Sequence, residues 1–235
     1  HPSGNVGGQI HKIDPINYAE KVWVSNPEDV LNIGLLFSTG QFSAQRTLAV
    51  VGSSVGKPQY YKATIGAALK PYLDASLVSE KEEVRIINGD VLSGSTSSEE
   101  GYVGFYNNVV SVIPEGNHFR MFGWLPFVDN HVPSISRTSF SWLFGSKKSK
   151  VTTNLNGEER ALVVTGEMEK VFPMDIFPMQ LIKACLVEDI ERMEALGIYE
   201  VVPEDFGLVD YASTSKIEAQ DIIKKGIELM IKEVG

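Results

Sequence analysis

Cysteine is nearly absent from this sequence: Cys185 stands alone among 235 residues. That excludes an internal disulfide, a thiolate metal cluster and a cysteine-held iron–sulfur centre, and it fits a reducing, cytoplasmic setting. Long hydrophobic runs are lacking as well. The most apolar stretches, residues 30–37 and 217–234, are interrupted by Asn32, Gly34, Lys224 and Glu228, so neither supplies the roughly 20 apolar residues of a membrane span. Positive charge is the scarcer sign, with 21 Lys and Arg against 30 Asp and Glu and a formal net charge of -9. Such a surface repels nucleic-acid phosphates and anionic lipid alike. The four histidines lack a convincing acid partner in sequence, which disfavours a hydrolase. His1 stands where an initiator Met would be and no apolar signal precedes it, so the chain is expected to begin inside a longer polypeptide.

What is present is an ordinary apolar content on a chain long enough for one large or two modest domains. Residues 1 to about 50 read as a glycine-rich lead, a short strand and one helix. Asn26-Pro27-Glu28-Asp29 is a strong helix start, with Asn26 capping, Pro27 in the first turn and two acids at the positive end of the dipole. Val30, Ile33 and Phe37 then share a face, and Gly40 stops the helix. From about 46 to 113 the pattern is Thr47–Val51 as a buried strand, a turn over 52–58, and Gln59–Lys62 returning as a second strand. A short helix capped by Thr64 and running through Leu69, with Pro71 near its end, follows, and strands come at Val84–Ile87 and Asn108–Ile113. Strand, hairpin, helix, strands is the order of a β-grasp module.

Beyond residue 114 the chain reads as strands near His118–Trp124 and Ala161–Val164, a polar loop around Lys147–Gly157, and then helices. Phe-Pro-Met occurs twice around Asp175, at 172–174 and 177–179. Asp175 can accept from the free N–H groups of the following turn and Pro178 sits early in it. Met179, Ile182, Leu186, Ile190 and Met193 make one apolar stripe, and Gly197 ends the helix. Ser215 and Glu218 form a capping box for a last helix lined by Ile223, Ile227, Met230, Ile231 and Val234, with Asp221–Lys225 and Glu228–Lys232 pairs on its outer side.

Three constellations could carry chemistry. His1, Gly4, Gly7, Gly8 and His11 lie close together, but no strand or helix is expected around them to form a phosphate cradle, and two histidines ten residues apart lack a third metal ligand. They read as a packing loop or as an anion contact. Phe119, Met121, Phe122, Trp124 and Phe127 are the densest aromatic cluster, open to reading as core or interface packing or as a partner contact. Phe177, beside a proline at a helix entry, is a third contact candidate. No residue is assigned as catalytic, cofactor-binding or metal-ligating.

The double Phe-Pro-Met segment, together with HPSGNVGGQIHKIDP at 1–15, VRIINGDVLSG at 84–94, VVSVIPEG at 109–116, Phe122-Gly123-Trp124 and the closing 215–235 segment, resembles the A component of the bacterial Na+-translocating NADH:quinone oxidoreductase (Na+-NQR). The resemblance covers nearly the whole chain. It implies an α+β fold in three parts: residues 1–45 as the end of an α/β, flavin-subunit-like domain, 46–113 as a soluble-ligand-binding β-grasp (SLBB-like) module, and 114–235 as a strand-plus-helix region. It further implies a peripheral place on the cytoplasmic face of the inner membrane, seated on the membrane-embedded B component, in a complex that oxidises NADH, reduces quinone and exports sodium. Flavins and iron–sulfur centres belong to the other components, so this chain would hold no cofactor and no complete active site, with ubiquinone or menaquinone as candidate ligand and His1, His11, Phe122, Trp124 and Phe177 as candidate quinone or partner contacts. A small-ligand-binding β-grasp module and a fragment of a flavin- or quinone-binding domain are the alternatives.

Two details qualify the resemblance. Asp90-Val91-Leu92-Ser93-Gly94-Ser95-Thr96 approaches the Asp-x-x-Ser-Gly-Ala-Thr motif of covalent flavin attachment in the B and C components, but Ser95 stands where that motif has alanine. A plain turn is the expectation. Several sequences of the A component carry a cysteine pair at the positions of Val209 and Ser213, and this chain has neither thiol.

Overall fold

A computed structural model describes residues 3–79, 82–117, 121, 122, 125 and 150–234. The fold is mixed α+β, with one open five-stranded sheet and a set of helices. Two compact units divide it: residues 26–156, which contain the sheet, and residues 1–25 with 157–235, which are helical.

In the sheet-containing unit, β1 (Gln45–Val51) and β2 (Gln59–Thr64) form an antiparallel hairpin in which Gln45 pairs with Thr64 and Val50 with Gln59. β3 (Val84–Asn88) pairs antiparallel with both β4 (Ser95–Ser97) and β5 (Val109–Pro114). β5 also lies parallel to β1, and the order across the sheet is β2-β1-β5-β3-β4. β5 is apolar at nearly every position because it is central and covered on both faces. Leu48, Val50, Leu69, Leu73, Val110 and Val112 form the core. Gly52 makes that packing possible: at φ 132 its missing Cβ would lie 2.0 Å from the Val112 carbonyl oxygen, a backbone approach that only glycine permits.

Two helices belong to this unit. α2 (Pro27–Thr39) begins with Pro27 in its first turn and ends on left-handed Gly40, as its sequence signals require. Its acids reach the sheet: Glu28 accepts from the Thr47 N–H at 2.8 Å, and Asp29 pairs with Arg46 at 2.6 Å. None of its 13 residues is buried. α3 runs Lys70–Ala75, not 64–69. Thr64 closes β2, and Pro71, expected near a helix end, lies in the first turn, where a missing N–H costs nothing.

The helical unit corrects four expectations. The glycine-rich lead is a helix, α1 (Val6–Ile13), entered from an extended Asn5 and buried only at Gly7 and Gly8. Tertiary packing here overrides the poor helix propensity of glycine. The single helix expected over the Met179–Met193 stripe is two, α4 (Pro178–Leu186) and α5 (Ile190–Ala195), divided at Glu188 with φ 56. Asp189 restarts the chain by accepting the Arg192 N–H. The break moves Leu186 out of the stripe to 53% exposure, whereas Met179, Ile182 and Met193 are fully buried. Phe177, not Asp175, occupies the cap position of α4. Residues 161–164 form no strand, and Val163 and Val164 are exposed.

The fourth correction concerns the last helices, α6 (Gly207–Ala212) and α7 (Ala219–Glu233). Asp210 of α6 caps α7, taking the N–H groups of Ala219 and Gln220 and the Gln220 side-chain amide. Ser215, expected to form the cap with Glu218, donates instead to the Ala161 carbonyl. A carboxylate from the preceding helix thus satisfies donors at the α7 N-terminus. Ile223 and Met230 are buried as the periodicity requires, Ile231 is exposed, and Asp221 meets Lys225 at 2.6 Å. Lys232 pairs with the adjacent Glu233.

Candidate functional site

The polar junction of the helical unit forms where α1 meets the segment from 198 to 206, which makes two short 3-10 turns, Ile198–Glu200 and Pro203–Phe206. His11 holds it. Its Nδ1 lies 2.7 Å from a Glu200 carboxylate oxygen, and its Nε2 faces the Asp175 N–H at 3.4 Å. The two partners specify one neutral tautomer, with Nδ1–H donating to Glu200 and Nε2 accepting from Asp175. Asn5 adds a bond from its side-chain amide to the Glu204 carbonyl at 3.1 Å.

Beneath these contacts lies Asp205, fully buried. One of its oxygens accepts the Val202 N–H at 3.1 Å, and the other has no hydrogen-bond partner. Burial pushes its carboxyl pKa up, against the opposing pull of the Val202 hydrogen bond. Gly7 of α1 lies directly over this carboxylate: a Cβ there would fall 2.2 Å from Oδ2. The close approach is what the Gly7-Gly8 pair provides. Tyr18 extends the same junction, donating to the Val234 carbonyl at 3.0 Å and stacking at a tilt on Tyr199, 5.7 Å between centroids. Glu194 accepts the Tyr199 hydroxyl and drives that phenol to about 12.

The candidate residues divide as follows. His11 is inside the junction, with both ring nitrogens engaged. Phe177 follows two residues after the Asp175 that His11 contacts, and its ring is 66% exposed. Phe122 is 52% exposed at φ 56. His1, Trp124, Phe119 and Phe127 lie outside the described residues. Sequence reading missed Asn5, Glu200 and Asp205; the Gly7-Gly8 pair was the available signal that something approaches α1 closely. Chemically, the arrangement holds α1 in place through a histidine both of whose ring nitrogens face hydrogen-bonding partners.

The Asp90 segment is a hairpin turn. One oxygen of Asp90 accepts from the N–H groups of Leu92 and Ser93 at 2.7 and 3.0 Å, and the other from the Ser93 hydroxyl at 2.7 Å. Burial opposes ionisation there, but these bonds outweigh it and lower the carboxyl pKa. Thr96 is an exposed residue of β4, paired with Ile87. These residues form the turn between β3 and β4. Cys185 packs against Gly226 on α7, and burial raises its thiol to about 11, so the reactive thiolate is disfavoured. Val209 and Ser213 are both buried, and the Ser213 hydroxyl has no partner.

A five-stranded mixed sheet in one unit, and in the other a set of helices that gathers both ends of the sequence, define a two-unit α+β protein. Comparison with known proteins gives it a family. Residues 47–99 match the family model described as the NQRA C-terminal domain, an SLBB model, and residues 1–42 match the one described as the NqrA second alpha/beta domain. The chain is 37% identical over 235 residues to the A component of the Na(+)-translocating NADH-quinone reductase of Neisseria meningitidis, covering 99% of this chain and 52% of that protein. The protein of the same name from Marinomonas sp. is 38% identical, and that from Haemophilus influenzae 36%, each again over 99% of this chain and 52% of its own length. The chain belongs to the NqrA family, the A components of the Na(+)-translocating NADH-quinone reductases. It spans about half the length of the curated relatives it matches. No described helix is long and apolar enough to cross a membrane.

Proposed function

We propose that the chain is a structural part of the A component in a Na+-translocating NADH:quinone reductase, and that it supports turnover by the assembled complex without completing an active site of its own. The observation that carries this reading is similarity along the entire sequence, across both units, to proteins of that name. The geometry supports the same division of labour. Its best-formed polar constellation is internally satisfied around His11, and its Asp90 loop is closed on itself. Residues 46–113 are read as a β-grasp module, with 1–45 as the end of an α/β domain and 114–235 as the C-terminal region.

On this reading the chain sits at the cytoplasmic face of the inner membrane against the membrane-embedded B component. Quinone, ubiquinone or menaquinone, is its candidate small-molecule contact; flavins and iron–sulfur centres reside on the other components. Phe177 is the contact residue best placed for a partner, being 66% exposed and held by a rigid helix entry at Pro178. The test is reconstitution: the complex carrying Phe177→Ala is assayed for retention of this polypeptide and for NADH-driven quinone reduction, beside the melting temperature of the isolated chain. Loss of an interface anchor of about 2 kcal/mol weakens assembly roughly thirtyfold and leaves melting unchanged. Full assembly and full activity with Phe177→Ala would remove Phe177 from the interface.

A further inference from the structure

α2 is apolar on every side, yet none of its residues is buried among the described residues. Leu31, Ile33, Leu36 and Phe37 are 68, 51, 40 and 85% exposed. A helix that is hydrophobic all round belongs in an interior. Its first turn is fastened to the sheet, through Glu28 on the Thr47 N–H and Asp29 on Arg46. Arg46 is itself buried, with its guanidinium carbon 6.0 Å above the centre of the Phe105 ring. Phe105 in turn meets Tyr106 edge-on at 4.9 Å, and these two rings are 58 and 74% exposed. The exposed apolar surface therefore runs from α2, across the Arg46–Asp29 pair, to the loop between β4 and β5. Its side chains are neighbours on one helix and one loop, unlike the singly scattered apolar residues that need no explanation on a monomer.

The matched family segments say what kind of cover fits. Residues 1–42 match a domain described as alpha/beta, but among the described residues of that segment there are two helices and no strand. Helices of α/β domains cover the faces of a mostly parallel sheet. The relatives are about twice as long as the chain, which leaves ample polypeptide to supply strands. A second copy of this chain is the poorer occupant, since two bodies of formal charge -9 repel one another.

We infer that α2, with Phe105 and Tyr106, is the docking face for a β-sheet contributed by the part of a full-length family member that this chain does not span. In that arrangement the Arg46–Asp29 pair, lying between the two matched segments, is the fastener that fixes the added sheet relative to β1–β5. The inference rests on membership of the NqrA family and adds which surface joins the halves of such a protein.

The test compares hydrogen exchange in this chain with exchange in the same sequence joined to the complementary half of the Neisseria meningitidis relative. Expected are amides of residues 30–39 that exchange at least tenfold more slowly in the joined polypeptide, with those of β1 and β5 unchanged. Phe37→Asp and Leu31→Asp should each abolish that added protection without altering the β1–β5 amides. Two results overturn the inference. One is equal exchange of α2 in both proteins while the joined polypeptide still assembles into the reductase, which would leave the family reading standing. The other is a chain that dimerises by itself with α2 already protected, which would make the surface a self-contact. Should the joined polypeptide protect α2 but fail to assemble, the docking face stands and the functional reading falls.

Discussion

α2 and α7 are helices of similar length, 13 and 15 residues, and their sequences are apolar to very different ends. α7 alternates: Ala219, Ile223, Gly226 and Met230 recur at steps of three and four and all are buried, while its charges face out. α2 carries about as many hydrophobic residues per turn with far fewer charges, and buries none. Composition alone would rank α2 as the core helix. The difference teaches that periodicity marks a helix whose partner is in the same chain, whereas uniform apolarity marks one whose cover must come from several sides.

The largest expected effect lies on the α7 side of this comparison. Ile223 is fully buried, so Ile223→Ala should destabilise the helical unit by about 3 kcal/mol through lost burial and a residual cavity, read from denaturant unfolding and faster exchange of α4 and α7 amides. Gly7→Ala comes next. Its Cβ would lie 2.2 Å from Asp205 Oδ2, and because the carboxylate is packed in, α1 must shift outward at about 2 kcal/mol. Proteolysis between residues 14 and 26 should then accelerate, with Ile223 packing unaffected.

A pH prediction probes the same carboxylate. Because Asp205 has a raised pKa in the folded state, its contribution is fully present below the ordinary value of 3.8 and is lost as pH rises through the folded pKa. Asp210, buried and likewise raised, acts in the same direction. Asp205→Asn should therefore remove part of that fall, so that the stability difference between variant and parent grows in favour of the variant as pH increases from acid toward neutral. A difference that is flat with pH would show that Asp205 titrates normally. Ser213→Cys is a smaller change: replacing a buried hydroxyl that has no partner with a less polar thiol should raise stability by about 1 kcal/mol. Smallest is Phe37→Ala on α2, at under about 0.5 kcal/mol in this chain; a loss as large as that of Ile223→Ala would erase the contrast between the two helices.

Much of the fold was legible because its signals are local. β1, β3 and β5 follow from runs rich in β-branched residues and β2 from its paired tyrosines, each bounded by turn residues, and α2 is bracketed by Pro27 and Gly40 as its sequence demands. The errors came from contacts distant in sequence. Nothing near Gly7 announces that Asp205 will lie against it, so a glycine pair that favours a loop became a helix. Glu188 carries no helix-breaking identity, yet the turn at φ 56 lets α5 reorient so that Met193 stays in the core. Pro71 was misread because proline marks both the region after a helix and its first turn. At the candidate site His11 was visible as a residue and Phe177 as an unusual helix entry, but Glu200, one of the partners that set the tautomer of His11, is 189 residues away in sequence.

That separation has a consequence for how the protein is made. The helical unit is discontinuous: its first 25 residues leave the ribosome well before the remainder, with the entire sheet-containing unit between them. At about 5–20 residues per second, roughly ten to forty seconds pass between emergence of His11 and of Glu200. Residues 26–156 can fold in that interval, and doing so shortens the effective loop that must close when the chain returns. α1, whose only buried residues are two glycines, has little to hold it helical until then. Docking of α1 against Glu200 and Asp205 therefore waits until residues 157–235 have been made.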